Sequence, residues 1–421
     1  MPSMLYLDAA RMGRMAPTAQ LALREFVRVA GEEGCTLYFE KFLRDGFSAW
    51  PSHLQSRYPG LRSWAGIAEL KAALAAFAGL SFNSPPLLAG RSANLAKLAA
   101  RQLFRNGGTV LVTDLTWPSY GDILRRTARK AQGQIEYLRI RARILRREIS
   151  PRQLIETMMD RFLSKRCTGL MFPHVSHDGI CLPATEIVRA FRQAAGNSFI
   201  AVDGSQAVGQ FPLRLSELPC DFYMAGCHKW LGSHLPLGIG FCPNAATRSE
   251  IQSACVKYLA RGTLDDPLLA FLHGLETGKL RRFTETVNVS PLFALRGALQ
   301  GHGPEVATYD LHHRRTAIAE MVARIGHMTG WSPLLPDEEF RSAAVLLQAT
   351  CPEVRRWSPQ VLRERFHEFG IALTCYRGGI LRLSTPSKQF TTHEAGMLIN
   401  ALALVQLRAR QCSQRAQLVY A

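Results

Sequence analysis

Three adjacent residues with reactive side chains, Cys227, His228 and Lys229, stand in the stretch MAGCHKWLG at 224–232. Three chemistries could use them. Cys227 and His228 could join His174, His177 and Asp178 around a metal ion. Cys227 and His228 could form a nucleophile–base pair. Lys229 could bond covalently to a carbonyl group. The H-x-x-H-D spacing of 174–178 is neither a recognised zinc pattern nor clearly helical, which weakens the first reading. Neighbours on an extended chain point to opposite faces, so Cys227 and His228 splay apart if the preceding strand continues. The lysine is the unusual residue here, because an ammonium is costly to bury. A buried lysine with a lowered pKa is a standard amine nucleophile.

The surrounding elements decide what these residues can reach. From about 85 to 245 the sequence alternates between two periods. GTVLVTD (108–114), IEYLRI (135–140), GLMFPHVS (169–176), FIAVDGS (199–205), DFYMAG (221–226) and LGIGFC (237–242) are apolar runs of strand length. Helical patterns lie between most of them, at 94–104, 118–130, 150–165 and 183–195. Continuous apolar strands alternating with amphipathic helices predict an α/β fold, with a mostly parallel sheet covered by helices on both faces. In such a sheet, ligands sit beyond the carboxyl ends of the strands. Asp203 ends one of those runs, Gln206 lies three residues on, and Lys229 follows the next run. After about 290, SAAVLLQAT (342–350), IALTCY (371–376) and ILRLST (380–385) predict a smaller α/β unit. A helix is expected from about 392, with Thr391 and Glu394 placed as a capping box. The basic tail QLRARQCSQRAQLVYA is expected to end in disorder.

Composition narrows the classes. The chain has 421 residues, 47% of them hydrophobic, which is enough for a large core. No apolar stretch approaches the roughly 20 residues of a bilayer span, and no signal-peptide pattern opens the sequence, so a cytoplasmic protein is expected. The ten cysteines show no C-x-x-C pairs, and reduced thiols are expected. The formal net charge is +18, carried mostly by arginines spread along the chain. The densest stretch, 123–152, has no aromatic interleaving beyond Tyr137, so a solvated basic face is favoured over a polyanion site. No G-x-G-x-x-G turn follows an early strand, which argues against a dinucleotide enzyme.

Asp203 and Lys229 meet two demands of pyridoxal phosphate. Its carbonyl needs an amine partner, and its ring nitrogen needs a carboxylate that keeps it protonated. VDGSQAVG (202–209), followed by DFYMAGCHKWLG (221–232) and PLGIGF (236–241), resembles the class V aminotransferase family of fold-type I pyridoxal-phosphate enzymes. That family includes cysteine desulfurases, isopenicillin N epimerase-like proteins, C–S lyases and several aminotransferases. The resemblance implies that Lys229 forms the Schiff base and that Asp203 pairs with the pyridine nitrogen. It places Gln206 near the ring's phenolic oxygen and His228 at the cofactor phosphate. LAGRSANLAKL (88–98) matches the segment that opens a helix under that phosphate, with Gly90, Arg91 and Ser92 as candidates. Trp117, in TDLTWPSY (113–120), falls where the family stacks a ring on the cofactor. His177, in PHVSHDGICLP (173–183), falls where an Asn approaches cofactor and substrate. Thr286, in RFTETVNVS (282–290), matches a residue that reaches the neighbouring subunit's phosphate, which implies a homodimer with shared sites. Arg382, in ILRLSTP (380–386), matches the arginine that holds a substrate α-carboxylate, and Arg11, in LYLDAARMG (5–13), lies in a segment that folds over the site. The implied division is an N-terminal segment over 1–20, a large cofactor domain over 21–285 and a small domain over 286–421. Nucleic acid and membrane are not expected partners.

Three departures from the family pattern stand out. Gly226 occupies the position three before the lysine, where a phosphate-binding Ser is usual, and Arg91 or Ser92 would have to compensate. His177 replaces an Asn. Only Arg377, Gly378 and Gly379 separate the two C-terminal strand runs, which leaves no room for the thiol-bearing loop of a desulfurase. Cys375 is inside a strand run and Cys351 lies far upstream. The reading reached is an enzyme acting on an amino acid or related amine, with transamination first. A C–S or β-elimination lyase and an epimerase are the alternatives, and a non-catalytic nucleic-acid-binding protein on the same fold is a more distant one.

Overall fold

The structure is a computed structural model that describes residues 4–34, 37–81, 84–196, 198–280, 285–302, 305–385 and 389–419. For 37–38, 305–309 and 412–419 the description is confined to the backbone.

A seven-stranded sheet occupies the first part of the chain. Its strands are β2 (Leu87–Ala89), β3 (Thr109–Thr113), β4 (Gln134–Leu138), β5 (Cys167–Pro173), β6 (Phe199–Asp203), β7 (Phe222–Gly226) and β8 (Gly238–Phe241). Their spatial order is β2-β8-β7-β6-β5-β3-β4. Strands β3 to β7 run parallel, while β8 is antiparallel to both its neighbours, β7 and β2. All five residues of β6 and all five of β7 are buried. That is why these strands read as unbroken apolar runs: helices cover both faces. The covering helices include Ser92–Leu103, Pro118–Ala131, Pro151–Ser164 and Ala184–Ala194, within about two residues of the expected spans. Pro151–Ser164 starts on a capping box, with the Ser150 hydroxyl accepting from the Gln153 amide and the Gln153 side chain accepting from the Ser150 amide. From β3 the chain moves outward to β4, then returns to build β5, β6 and β7 on the other side. The carboxyl ends of β3, β5, β6 and β7 flank this reversal, and a crevice is expected there.

The second part of the chain carries a four-stranded antiparallel sheet, ordered β12-β13-β10-β9, from β9 (Trp331–Pro333), β10 (Ala344–Ala349), β12 (Thr374–Tyr376) and β13 (Ile380–Ser384). A two-stranded parallel sheet pairs β1 (Leu5–Tyr6) with β11 (Ile371–Ala372). Leu5 and Leu7 therefore bury in the core of the second part, together with Val345, Leu347, Leu381 and Leu402. The helix Ser290–His302 packs the other way. Its Phe293 stacks on Phe26 with ring centroids 4.6 Å apart and joins the core of the large sheet. The final helix, Thr392–Val419, has the expected capping box at Thr391 and Glu394. It continues through Val419, so the tail expected to be disordered is helical as far as it is described.

After β1 the N-terminal chain crosses from the small sheet to the lysine. Ala9 donates to the Ser384 carbonyl at 3.3 Å, Gly13 to the His228 carbonyl at 2.7 Å, and Ala16 to the Gly232 carbonyl at 2.9 Å. A Cβ at Gly13 would fall inside the van der Waals surface of the Lys229 carbonyl oxygen. Only glycine lets the two backbones approach this closely.

Candidate functional site

Lys229 follows directly on β7, at the rim of the sheet. Burial lowers its pKa to about 8, the positive charge of Arg382 acts in the same direction, and the negative charge of Asp203 opposes both. Asp203, the last residue of β6, is buried, and burial raises its pKa against the pull of Lys229 and a hydrogen bond from Ser205. The Ser205 amide donates to Asp203 Oδ1 at 2.9 Å. Behind Asp203, His174 donates its amide to the Asp203 carbonyl at 2.9 Å, and its Nδ1 lies 3.1 Å from the Tyr223 hydroxyl. This histidine is held neutral by burial, with its pKa near 4. A lysine that is about half unprotonated near pH 8, beside a carboxylate whose charge it feels, is an amine suited to attack a carbonyl.

The neighbours of Lys229 are fixed by internal bonds. Trp230 Nε1 donates to Gln206 Oε1 at 2.8 Å, and Gln206 Nε2 donates to the Ala10 carbonyl at 2.8 Å. Both ends of the Gln206 amide are thus engaged by the protein. Cys227 is fully buried and its pKa is pushed up by burial, which is the opposite of an activated thiol.

Beside the lysine, the helix Ser92–Leu103 begins with Arg91 as N-cap and no side-chain cap on its first amides. Glycines bring it close to the sheet: a Cβ at Gly238 would sit 2.7 Å from the Ser92 nitrogen. The Ser92 hydroxyl accepts from the Tyr120 hydroxyl at 2.9 Å. A Cβ at Gly226 would lie 2.8 Å from His228 Cε1 and 3.6 Å from Ser92 Oγ, so the imidazole occupies the space that a larger residue would need. His228 Nδ1 is buried and has no partner among the described residues. Its pKa is near 4 through burial first and the Lys229 charge second. An unpaired imidazole nitrogen, a hydroxyl and uncapped helix amides converge, which is the donor set a phosphate group requires.

The sequence comparisons agree with this geometry. A family model described as Aminotransferase class-V matches residues 88–299. That is half of the chain, and it includes Ser92, Asp203 and Lys229. The chain belongs to the class V aminotransferase family. Isopenicillin N epimerase of Amycolatopsis lactamdurans is 32% identical over 149 residues, 35% of this chain and 35% of that protein. A probable cysteine desulfurase of Chlamydia muridarum is 30% identical over 151 residues, 35% of this chain and 34% of that protein. These matches span about a third of the length of each relative. Among solved structures, a mutant of C-DES with glycine covalently linked to its PLP cofactor matches 96% of this chain and 97% of its own, with a TM-score of 0.68 and 16% identity. Ureidoglycine-glyoxylate aminotransferase of Bacillus subtilis matches 97% of this chain and 94% of its own, with a TM-score of 0.65 and 15% identity. At such identities the structural matches show the shared fold. The cofactor of this class V chain is pyridoxal 5'-phosphate, and the residues present fit it: a lysine of lowered pKa feels the charge of a buried carboxylate, and an unpaired imidazole nitrogen and a hydroxyl flank Gly226 close by.

The remaining candidates fall into two groups. Arg382 on β13 is buried; its Nη1 donates to the His177 carbonyl at 2.7 Å, and its Nη2 lies 3.1 Å from both Asp8 Oδ1 and Thr374 Oγ1. The His177 ring meets Trp117 edge-on, with centroids 5.2 Å apart at 68°, and its Nδ1 is buried without a partner among the described residues. Burial lowers the His177 pKa. The loop is pinned next door, where Asp178 accepts from both Ser176 and Arg141. Trp117 caps the helix Pro118–Ala131 and remains 43% exposed, which leaves it room to lie against a ligand. The structure does not draw the other candidates into the same network. Gly90 donates its amide to both carboxylate oxygens of Asp266 at 3.0 Å, so that amide is already committed. Arg91 and Arg11 are exposed. Thr286 is exposed ahead of the helix Ser290–His302 and makes no hydrogen bond among the described residues; 282–284 of its stretch lie outside them.

Sequence reasoning missed Tyr120, Asp266, Asp8 and Gly13. Tyr120 carried a local signal, three residues after Trp117 and therefore on the same side of the first helical turn. Asp8, Gly13 and Asp266 carried none that short-range pattern can read.

Proposed function

We propose that this chain catalyses transamination of an amino acid or a related amine. The observation that carries the reading is the pairing of a depressed-pKa Lys229 with buried Asp203 beside an open anion-binding corner. In this reading Lys229 bonds the cofactor, Asp203 faces its ring nitrogen, and His228, Ser92 and the first amides of the helix Ser92–Leu103 hold its phosphate. Bound there, pyridoxal 5'-phosphate supplies an electron sink for the bonding pair left at a substrate Cα. The Lys229 amine takes the Cα proton and returns it elsewhere, as a general acid/base working near its own pKa. Trp117 covers one face of the site, and His177 lies between it and Arg382, which grips a substrate carboxylate.

The C–S lyase and epimerase alternatives use the same residues and differ in where the proton or leaving group goes. Persulfide chemistry has less support. Cys375 is buried on β12 with its pKa pushed up to about 12, and the turn to β13 is only Arg377, Gly378 and Gly379. No helix among the described residues is long and apolar enough to cross a membrane. A cytoplasmic homodimer, with Thr286 reaching the partner's anion corner, completes the proposal. Within each chain, the core contacts support a seam between a large and a small unit after the helix Ser290–His302.

Reconstituted protein is expected to absorb in the visible range and, after borohydride, to carry the cofactor covalently on Lys229 by peptide mass spectrometry. Attachment at another residue sinks the proposal. An amino acid added alone should convert the bound cofactor to its pyridoxamine form. Release of pyruvate and ammonia instead assigns the lyase, and racemised amino acid assigns the epimerase.

A further inference from the structure

The grip on the substrate carboxylate has an internal competitor. Arg382 is 4% exposed and forms an ion pair with Asp8, whose side chain is 9% exposed, at 3.1 Å. Thr374, the cross-strand neighbour of Arg382, donates its hydroxyl to the same Asp8 oxygen at 2.6 Å and lies 3.1 Å from Arg382 Nη2. Nη1 serves the carbonyl of His177 at 2.7 Å. Nε is buried with no partner among the described residues. A carboxylate is held best by two parallel N–H groups on one edge of the guanidinium. Here the edge formed by Nε and Nη2 is half occupied, because Nη2 already serves Asp8 and Thr374. The N-terminal segment that carries Asp8 is itself fixed. Ser384 donates its amide to the Leu7 carbonyl at 2.8 Å, and Ala10 donates to Ser384 Oγ at 2.9 Å.

We propose that Asp8 is a specificity-determining residue that neutralises Arg382 and weakens the selection for an α-carboxylate on the incoming amine. The inference rests on the reading that Arg382 faces that carboxylate. In a water-poor site, two carboxylates sharing one guanidinium repel each other, and the second binds more weakly than it would to an uncompensated arginine. The site therefore admits amines that lack a free α-carboxylate alongside amino acids. Asp8 acts through Arg382 and need not touch the reacting atoms.

The test uses two aminooxy compounds that attack the lysine-bonded cofactor directly, whatever the natural substrate. Aminooxyacetate carries a carboxylate, and methoxyamine does not. Loss of the visible band of the holoenzyme gives a second-order rate for each. In the unchanged protein the aminooxyacetate rate is expected to be within about tenfold of the methoxyamine rate. Asp8→Asn keeps the acceptor for Thr374 and removes the charge; it should raise the aminooxyacetate rate by about tenfold or more and leave methoxyamine within about twofold, since each tenfold corresponds to about 1.4 kcal/mol. Asp8→Ser should shift the ratio in the same direction, which guards against a folding defect in one variant. Thr374→Val keeps the charge and should leave the ratio within about twofold. A ratio that is unchanged or falls in both Asp8 variants overturns the proposal. Arg382→Gln separates the two layers of the argument. If it leaves the ratio untouched while the band and borohydride fixation on Lys229 are normal, then the role given to Arg382 fails and the proposal fails with it.

Discussion

The two ends of the crevice are built on opposite plans. At the lysine end several polar groups are already answered by the protein: Asp203 Oδ1 by the Ser205 amide, Gln206 by Ala10 and Trp230, and the His228 carbonyl by Gly13. At the anion end the donors are present but open, with His228 Nδ1 unpartnered among the described residues and the first amides of the helix Ser92–Leu103 uncapped. The first end is set by tertiary structure before anything binds. In the proposed reading the second gains its partners from the cofactor phosphate. Substitutions at the lysine end should therefore damage chemistry, and those at the anion end should damage retention.

The largest test of that contrast is Lys229→Ala. Covalent fixation by borohydride should vanish, while the anion end still holds cofactor reversibly in a fluorescence titration. Complete loss of reversible binding would mean that the two ends are not separable. Asp203→Asn comes next. Replacing a charge placed against a developing charge costs on the order of 10²–10³ in rate, so the half-reaction should slow by about that much with little change in retention. Lys229 also sets a pH dependence. Its pKa of about 8 lies below the usual lysine value because burial favours the neutral amine. The rate at which apo-protein bonds the cofactor should climb about tenfold per pH unit below 8 and level off above it, as the free amine fraction does. An unperturbed lysine would keep climbing to about pH 10, and stopped-flow absorbance distinguishes the two curves.

The division between what the sequence discloses and what it conceals follows sequence distance. The sheet was readable because β6 and β7 are buried along their whole length, which forces unbroken apolar runs ending at Asp203 and just before Lys229. The capping box at Thr391 was readable because it closes over three residues. By contrast, Asp8 meets Arg382 across 374 residues and Asp266 meets Gly90 across 176. No local pattern encodes such pairs, and an aspartate in either place reads as an ordinary turn residue. The committed amide of Gly90 shows the cost: a glycine before a helix suggested an anion contact, but a distant side chain had taken it. The tail misled in the opposite direction. Its charge suggested disorder, yet it extends a helix whose earlier turns bury Leu398, Leu402 and Val405 in the small core.

The anion end supplies the smaller effects and the sharpest test. His228→Gln should weaken cofactor retention by about tenfold to a hundredfold, the range for one hydrogen bond to a charged group. Gly226→Ser restores the hydroxyl that the family pattern expects, and simple addition of a donor would tighten binding. The geometry argues otherwise. The new Cβ would sit 2.8 Å from His228 Cε1, so the imidazole must move before the hydroxyl can help. Gly226→Ser alone should therefore weaken retention by a few-fold, roughly 1 kcal/mol or less. In a His228→Ala background the obstruction is gone, and the same substitution should strengthen retention. A double-mutant cycle measured by cofactor fluorescence reads this change of sign directly. If Gly226→Ser tightens binding in both backgrounds, His228 and residue 226 do not compete for one space, and His228 loses its claim to be the donor that stands in for the missing serine.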